Sequence, residues 1–134
     1  MVDDIDAAEE FYGGFLGLEP ISVREQGFPQ CFFRFNGSQE IHINQLDDVI
    51  PVRAHFALRV PNFETLVRAA MDSGILEIQT WGKVRRMPHG VMQAFVRDPS
   101  GNLIELTADP EQPVSDEFFE LDIYDADSPM FTVD

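Results

Sequence analysis

The same succession of elements occurs twice along this chain, and that repeat restricts its fold more than any other feature. Val2-Asp3-Asp4-Ile5-Asp6 matches Val60-Pro61-Asn62-Phe63-Glu64 in residue type. Leu16-Gly17-Leu18 matches Ser73-Gly74-Ile75 after a one-residue shift, and Glu40-Ile41-His42-Ile43 matches Leu103-Ile104-Glu105-Leu106. In the second half, His55 to Val60 alternates as a strand, and Pro61-Asn62 breaks it. Phe63, Leu66, Val67, Ala70 and Met71 then form a helical stripe that stops near Gly74. Ile75 to Thr80, Met92 to Arg97 and Leu103 to Thr107 read as strands, with a basic loop from Gly82 to Gly90. In the first half, Asp3 or Asp4 caps a helix carrying Ile5, Ala8, Tyr12 and Phe15, which Gly13, Gly14 and Gly17 weaken and end. Strands are expected at Ile21 to Arg24, Cys31 to Phe35 and Glu40 to Asn44. The unit is therefore β-α-β-β-β, used twice in an α+β fold. The counterpart of His55 would fall before Met1, so the first strand of module one is expected to be missing.

The last two strands are joined by Asp98-Pro99-Ser100-Gly101-Asn102. Side-chain bonding, a fixed φ and tolerance of positive φ make these residues suited to a tight reversal. The segment therefore reads as a hairpin. Its second strand carries one acid, Glu105, between Ile104 and Leu106, which puts the carboxylate on the opposite face from those two.

With 134 residues and 44% hydrophobic content, the chain has enough material for one domain with a core. We read residues 1–108 as that domain, with module one at 1–50, module two at 51–108 and an acidic C-terminal tail at 109–134. In the tail, Phe119, Leu121 and Ile123 alternate with Glu120, Asp122 and Tyr124, so residues 118–124 are expected to form an edge-pairing strand. A net charge of −15 argues against nucleic acid and anionic membranes as partners. No apolar run is long enough to span a bilayer. A single cysteine, Cys31, cannot form an intramolecular disulfide, and a cytoplasmic location is expected.

Strand alternation delivers His42, His55 and Glu105 to the face opposite the apolar residues of three separate strands. Two imidazoles and one carboxylate are a ligand set for an open-sited divalent metal, leaving positions for water and substrate. The same rule puts Arg59 beside His55 on its strand, while Gln93 and the loop residues Arg86, Arg85 and His89 are candidates for the cavity wall or mouth. Arg59, Arg86 and Gln93 are the candidate substrate contacts.

Taken together, Asp6-Ala7-Ala8-Glu9-Glu10-Phe11-Tyr12 through Leu16-Gly17-Leu18, the strand His55 to Val60, and the hairpin Phe95 to Leu106 resemble the glyoxalase/bleomycin resistance/extradiol dioxygenase superfamily, the vicinal oxygen chelate proteins. The resemblance implies paired βαβββ modules with cup-shaped mixed sheets, a homodimer and a small-molecule substrate. It also implies ligands on the first and last strands of each module: His55 and Glu105 in module two and His42 in module one. The metal would be iron, manganese, nickel or zinc, serving lyase, isomerase or ring-cleaving dioxygenase chemistry, with Glu105 as the catalytic residue. The alternative is a metal-free binding protein of the bleomycin-resistance type.

Overall fold

The computed structural model describes residues 1–22, 27–50, 54–78, 84–87 and 89–120. The chain divides into two compact units. One comprises Met1–Val52 with Asp98–Asn102, and the other comprises Arg53–Arg97 with Leu103 onward. Among the described residues each has one sheet, and helices are few, so the fold is α+β as expected. No helix among the described residues is long and apolar enough to cross a membrane.

In the first unit, strands β1 (Glu19–Ile21), β2 (Gln30–Phe35) and β3 (Gln39–Asn44) form an antiparallel sheet in the order β1-β2-β3. Helix α1 (Ile5–Glu9) is capped by Asp4, whose Oδ1 accepts from the Ala7 N–H at 3.0 Å. The helix does not stop at Gly13. It widens into a π-helical turn over Glu10–Phe15, with the Leu16 N–H donating to the Phe11 carbonyl at 2.9 Å. Gly13 lies close to the sheet: a Cβ there would come within 3.1 Å of the Phe33 ring. The apolar alternation holds, since Phe11, Tyr12, Cys31, Phe33 and Ile43 are all buried. Ahead of α1, Val2 makes an isolated parallel bridge to Gln45.

The hairpin turn packs in this unit around one carboxylate. Asp98 accepts from the Asn102 N–H at 2.7 Å and from the Asn102 side-chain amide at 2.8 Å, and the buried Tyr12 hydroxyl donates to it at 3.0 Å. Ser100 Oγ donates to Asp3 Oδ1 at 2.5 Å and accepts from the Asp3 N–H at 3.0 Å. Turn chemistry read as purely local is thus also tertiary.

The second unit has strands β4 (His55–Arg59), β5 (Arg85–Arg86), β6 (Met92–Arg97) and β7 (Leu103–Ala108), in the order β4-β7-β6-β5. β4 runs parallel to β7, while β6 is antiparallel to both β7 and β5. Helix α2 (Phe63–Ser73) buries Phe63, Leu66, Val67 and Ala70 and ends on Gly74 at φ 74°, the left-handed stop expected there. Ile104, Leu106, Val96 and Ala94 are fully buried on one face of the sheet. Leu58 and Val60 are buried as expected, but Phe56, on the same face at the start of β4, is 37% exposed.

Two other expectations change. Leu76 makes only a single bridge to Val96 where a strand was expected over residues 75–80, and 79–80 lie outside the described residues. Arg85–Arg86, expected within a loop, is a short strand. Other parts of that loop, the end of the 21–24 strand and the tail from 121 also lie outside the described residues.

The start of the tail is built into the second unit. Asn62 gives helix α2 no side-chain cap. Gln112 does so instead, accepting from the Phe63 N–H at 2.9 Å and donating to the Val60 carbonyl at 2.8 Å. The N–H and hydroxyl of Ser115 both donate to Glu64, at 2.7 and 2.6 Å, and hold that carboxyl below its ordinary range. Residues Asp116–Glu120 form a 3-10 helix, so the strand expected over 118–124 fails at its first three positions. Phe118 is fully buried, its ring edge-on to Phe63 at 5.9 Å.

Two measurements test this packing. Phe118→Ala is expected to cost about 3–5 kcal/mol in urea unfolding, where a loose tail would cost less than about 0.5 kcal/mol. Tyr12→Phe is expected to cost about 1–2 kcal/mol at neutral pH. Burial, reinforced by Asp98, pushes the Tyr12 phenol above its ordinary value. The folded state therefore keeps a proton that the unfolded chain releases. That stability is full below the unfolded value of about 10 and is lost as pH rises past it. Cys31, pushed up to about 11 by burial and then by Glu9, adds a loss of the same sign beginning near its ordinary value. The urea midpoint should accordingly fall on the alkaline side, and Tyr12→Phe should flatten that fall while leaving the Cys31 part.

Candidate functional site

The candidate site lies on the face of the second sheet opposite its fully buried apolar side. β7 is central, with β4 on one flank and β6 on the other. Ala57 pairs with Glu105 and His55 with Leu103, so the first residue of β4 is diagonal to Glu105 on the same face. On the other flank Phe95 is opposite Glu105, and Gln93 is the diagonal neighbour. Strand alternation alone turns all these side chains to one side.

They meet there. His55 Nε2 lies 3.1 Å from Glu105 Oε2. Gln93 Nε2 donates to Glu105 Oε1 at 2.6 Å. The Glu105 side chain is 10% exposed and that of His55 is 27% exposed. Phe95 meets the imidazole edge-on, with ring centroids 5.2 Å apart, which restricts its rotation. Each carboxylate oxygen thus has its own protein neighbour. The arginines that might have neutralised Glu105 pair elsewhere: Arg97 Nε with Glu77 at 2.5 Å, and Arg59 with Asp109 at 3.1 Å.

An imidazole and a carboxylate, on the first and last strands of one β-α-β-β-β unit, form this site. A family model for the Glyoxalase/Bleomycin resistance protein/Dioxygenase superfamily matches residues 1–106. The chain belongs to this superfamily. A solved glyoxalase family protein from Bacillus anthracis is 30% identical, with 78% of this chain and 83% of that one covered and a TM-score of 0.63. A lactoylglutathione lyase from Agrobacterium tumefaciens is 25% identical, covering 81% and 88% at a TM-score of 0.60. A fosfomycin resistance protein from Listeria monocytogenes, 18% identical over 78% and 82% of the two chains, shares the fold at a TM-score of 0.63. Comparison with curated proteins finds no match.

For a member of this superfamily, the residues expected from sequence sort as follows. His55, Glu105 and Gln93 come together. His42 belongs to the first unit, where its ring stacks on Phe32 with centroids 3.8 Å apart and planes 3° from parallel. Its Nε2 is 3.4 Å from Glu40, and its side chain is 53% exposed. The backbone supports its match to Glu105. The Val2 N–H donates to the Asn44 carbonyl at 3.0 Å, and the Val60 N–H donates to the Thr107 carbonyl at 2.9 Å. His42 and Glu105 each stand two residues before that acceptor. Among the described residues, no group of three His, Cys, Asp or Glu side chains is arranged to hold an ion.

Arg59 is on the face of Glu105 by register but is turned to Asp109. Arg86 is placed differently from the cavity-mouth expectation. It pairs with Met92 and is exposed, on the sheet face away from Glu105. Of the two β5 arginines, Arg85 shares the Glu105 face, opposite Gln93 and 8% exposed. A loop assignment left the alternation of these two residues undefined, and Gln93, two positions from Phe95, fixes it.

Proposed function

We propose that this chain is a metal-dependent enzyme that binds neighbouring oxygens of a small substrate, with His55 and Glu105 as ligands on one module. The observation that carries this reading is the 3.1 Å separation of His55 Nε2 and Glu105 Oε2. Two donors each about 2.1 Å from an ion and at right angles are about 3 Å apart, so the pair fits a divalent cation. The donor chemistry fits as well, as imidazole and carboxylate suit zinc, nickel, manganese and iron. His42 is proposed as a third ligand from its place in the repeat. A bound divalent ion would supply Lewis acidity toward developing oxyanion charge.

The residues around the pair have distinct parts. Gln93 fixes Oε1 and leaves Oε2 directed toward His55, the arrangement by which an outer amide orients a ligating carboxylate. Phe95 holds the imidazole plane. Glu105 is also the group placed to take and return a proton in lyase or isomerase chemistry, and the 25% identical lactoylglutathione lyase supports that type over ring cleavage.

The second reading is a metal-free binding protein of the bleomycin-resistance type. It is favoured by the fact that both Glu105 oxygens already have protein neighbours. Metal titration of the stripped, full-length protein separates the two. The first reading expects close to one equivalent of zinc, nickel, manganese or iron(II), with stabilisation of about 2.7 kcal/mol at a hundredfold excess over Kd. His55→Ala and Glu105→Gln should abolish this, and Gln93→Leu should weaken it about 10–100-fold. Absence of binding, or binding untouched by His55→Ala, overturns the metal reading. If only His42→Ala leaves affinity unchanged, the third ligand is another group.

A further inference from the structure

A cavity of about 410 Å³ lies in the first unit, between the π-helical turn and strands β1 and β2. It shares no residue with the His55–Glu105 site. Its wall includes Cys31 and Phe33, the buried residues of β2, and Phe32 between them also borders it. Gly13 and Phe33, which approach each other closely, put it on the helix side of the sheet. His42 pairs with Phe32 and is on the other face.

Two consecutive helical positions without side chains make room for it. Gly13 has a packing reason: a Cβ there would come within 3.1 Å of the Phe33 ring. Gly14 has none. Its φ is not left-handed, and an added Cβ would meet only Glu10 Cγ, at 3.8 Å, an ordinary contact. Glycine inside a helix is less stable than alanine, so position 14 gives up helix stability and keeps the space open. The turn around it is also widened, and such turns occur frequently at functional sites. The lining carries one sign of charge. Glu9 borders the cavity, and none of the described lining residues is a lysine, arginine or histidine. Much of the remaining wall is apolar: Pro20, Ile21, Cys31 and Phe33. The field of Glu9 reaches that wall, because after burial it is the Glu9 charge that holds the Cys31 thiol up, at about 11. Cys31 is therefore a neutral thiol at pH 7 and packs as a small apolar group.

We infer that this cavity is a binding site for a small organic ammonium compound, with its apolar body against Phe33, Cys31 and Ile21 and its cationic head at Glu9. The volume is within the range of small-molecule sites, about 300–1,000 Å³. An anion is repelled by Glu9 and by the net charge of −15, and a neutral molecule of the same shape gains from burial alone. The site uses neither His55 nor Glu105, so it stands whether or not the chain is a metal enzyme.

The test is a titration of the full chain with 2-phenylethylammonium at constant KCl, followed through the amide chemical shifts of the lining residues. 2-Phenylethanol and 3-phenylpropionate are the neutral and anionic comparators. Saturable shifts are expected with the cation, with the alcohol weaker by about threefold or more and the carboxylate weaker still. Glu9→Gln should bring the cation down to the level of the alcohol. Glu117→Gln removes an exposed acid of the second unit and should change the affinity by less than about 1.5-fold at that ionic strength. Gly14→Leu should fill the space, weaken binding by about tenfold or more and raise the urea midpoint. Absence of saturation with the cation up to about 50 mM, equal affinity for cation and carboxylate, equal losses in Glu9→Gln and Glu117→Gln, or unchanged binding by Gly14→Leu overturns the inference. If Gly14→Leu does not fold, Gly14→Ala decides: a loss of about twofold or more supports the proposal, and unchanged affinity sinks it.

Discussion

The parallel ladder between β4 and β7 is the constraint on which the candidate site depends. It sets His55 against Leu103 and Ala57 against Glu105, and a slip of one residue would turn His55 to the other side of the sheet. The ladder also makes β7 a central strand, which is why Glu105 is almost wholly buried while His55, on an edge strand, keeps contact with solvent. A buried carboxylate requires hydrogen-bonding neighbours. Register provides them from both flanks: the imidazole from β4 and the amide from β6.

The two units use one backbone plan for different chemistry. Val2 and Val60 enter corresponding hydrogen bonds, to Asn44 and Thr107, and the following helix begins within a few residues in each. His42 and Glu105 stand at matching positions, yet their surroundings diverge. Glu105 is held between two side chains, whereas His42 lies flat on Phe32 in an exposed setting. Where the second unit has five paired residues on β4, the first has the Val2 bridge among its described residues. A duplicated frame has kept its anchors while the chemistry at equivalent points has changed.

Strand facing was legible in the sequence because polar and apolar residues alternate over residues 40–44, 55–59 and 104–107. The repeat located the ends of those strands. Pattern alone put His42, His55 and Glu105 on one side of their strands; the structure brings His55 and Glu105 together with Gln93, which alternation offered only as a wall residue, and sets His42 against Phe32. Other features were hidden for physical reasons. Gly13 and Gly14 look like helix terminators, but a widened turn accommodates them, and the first lies close to the Phe33 ring. Arg85 and Arg86 make too short a strand for any periodicity, so only pairing with Gln93 and Met92 reveals which one faces Glu105. Tail composition suggested a loose or edge-pairing segment. Gln112 and Ser115 act through pairs of hydrogen bonds to distant residues, which leave no periodic pattern in the sequence, and burial of Phe118 does not show in a segment where apolar and acidic residues mix.

The cap on α2 has a consequence for biosynthesis. The first free N–H of that helix is answered by a side chain 49 residues later. As the polypeptide leaves the ribosome, α2 can form its turns early, but its entrance stays hydrated until residue 112 has emerged. The second unit thus closes its helix entrance only after that residue is outside the exit tunnel.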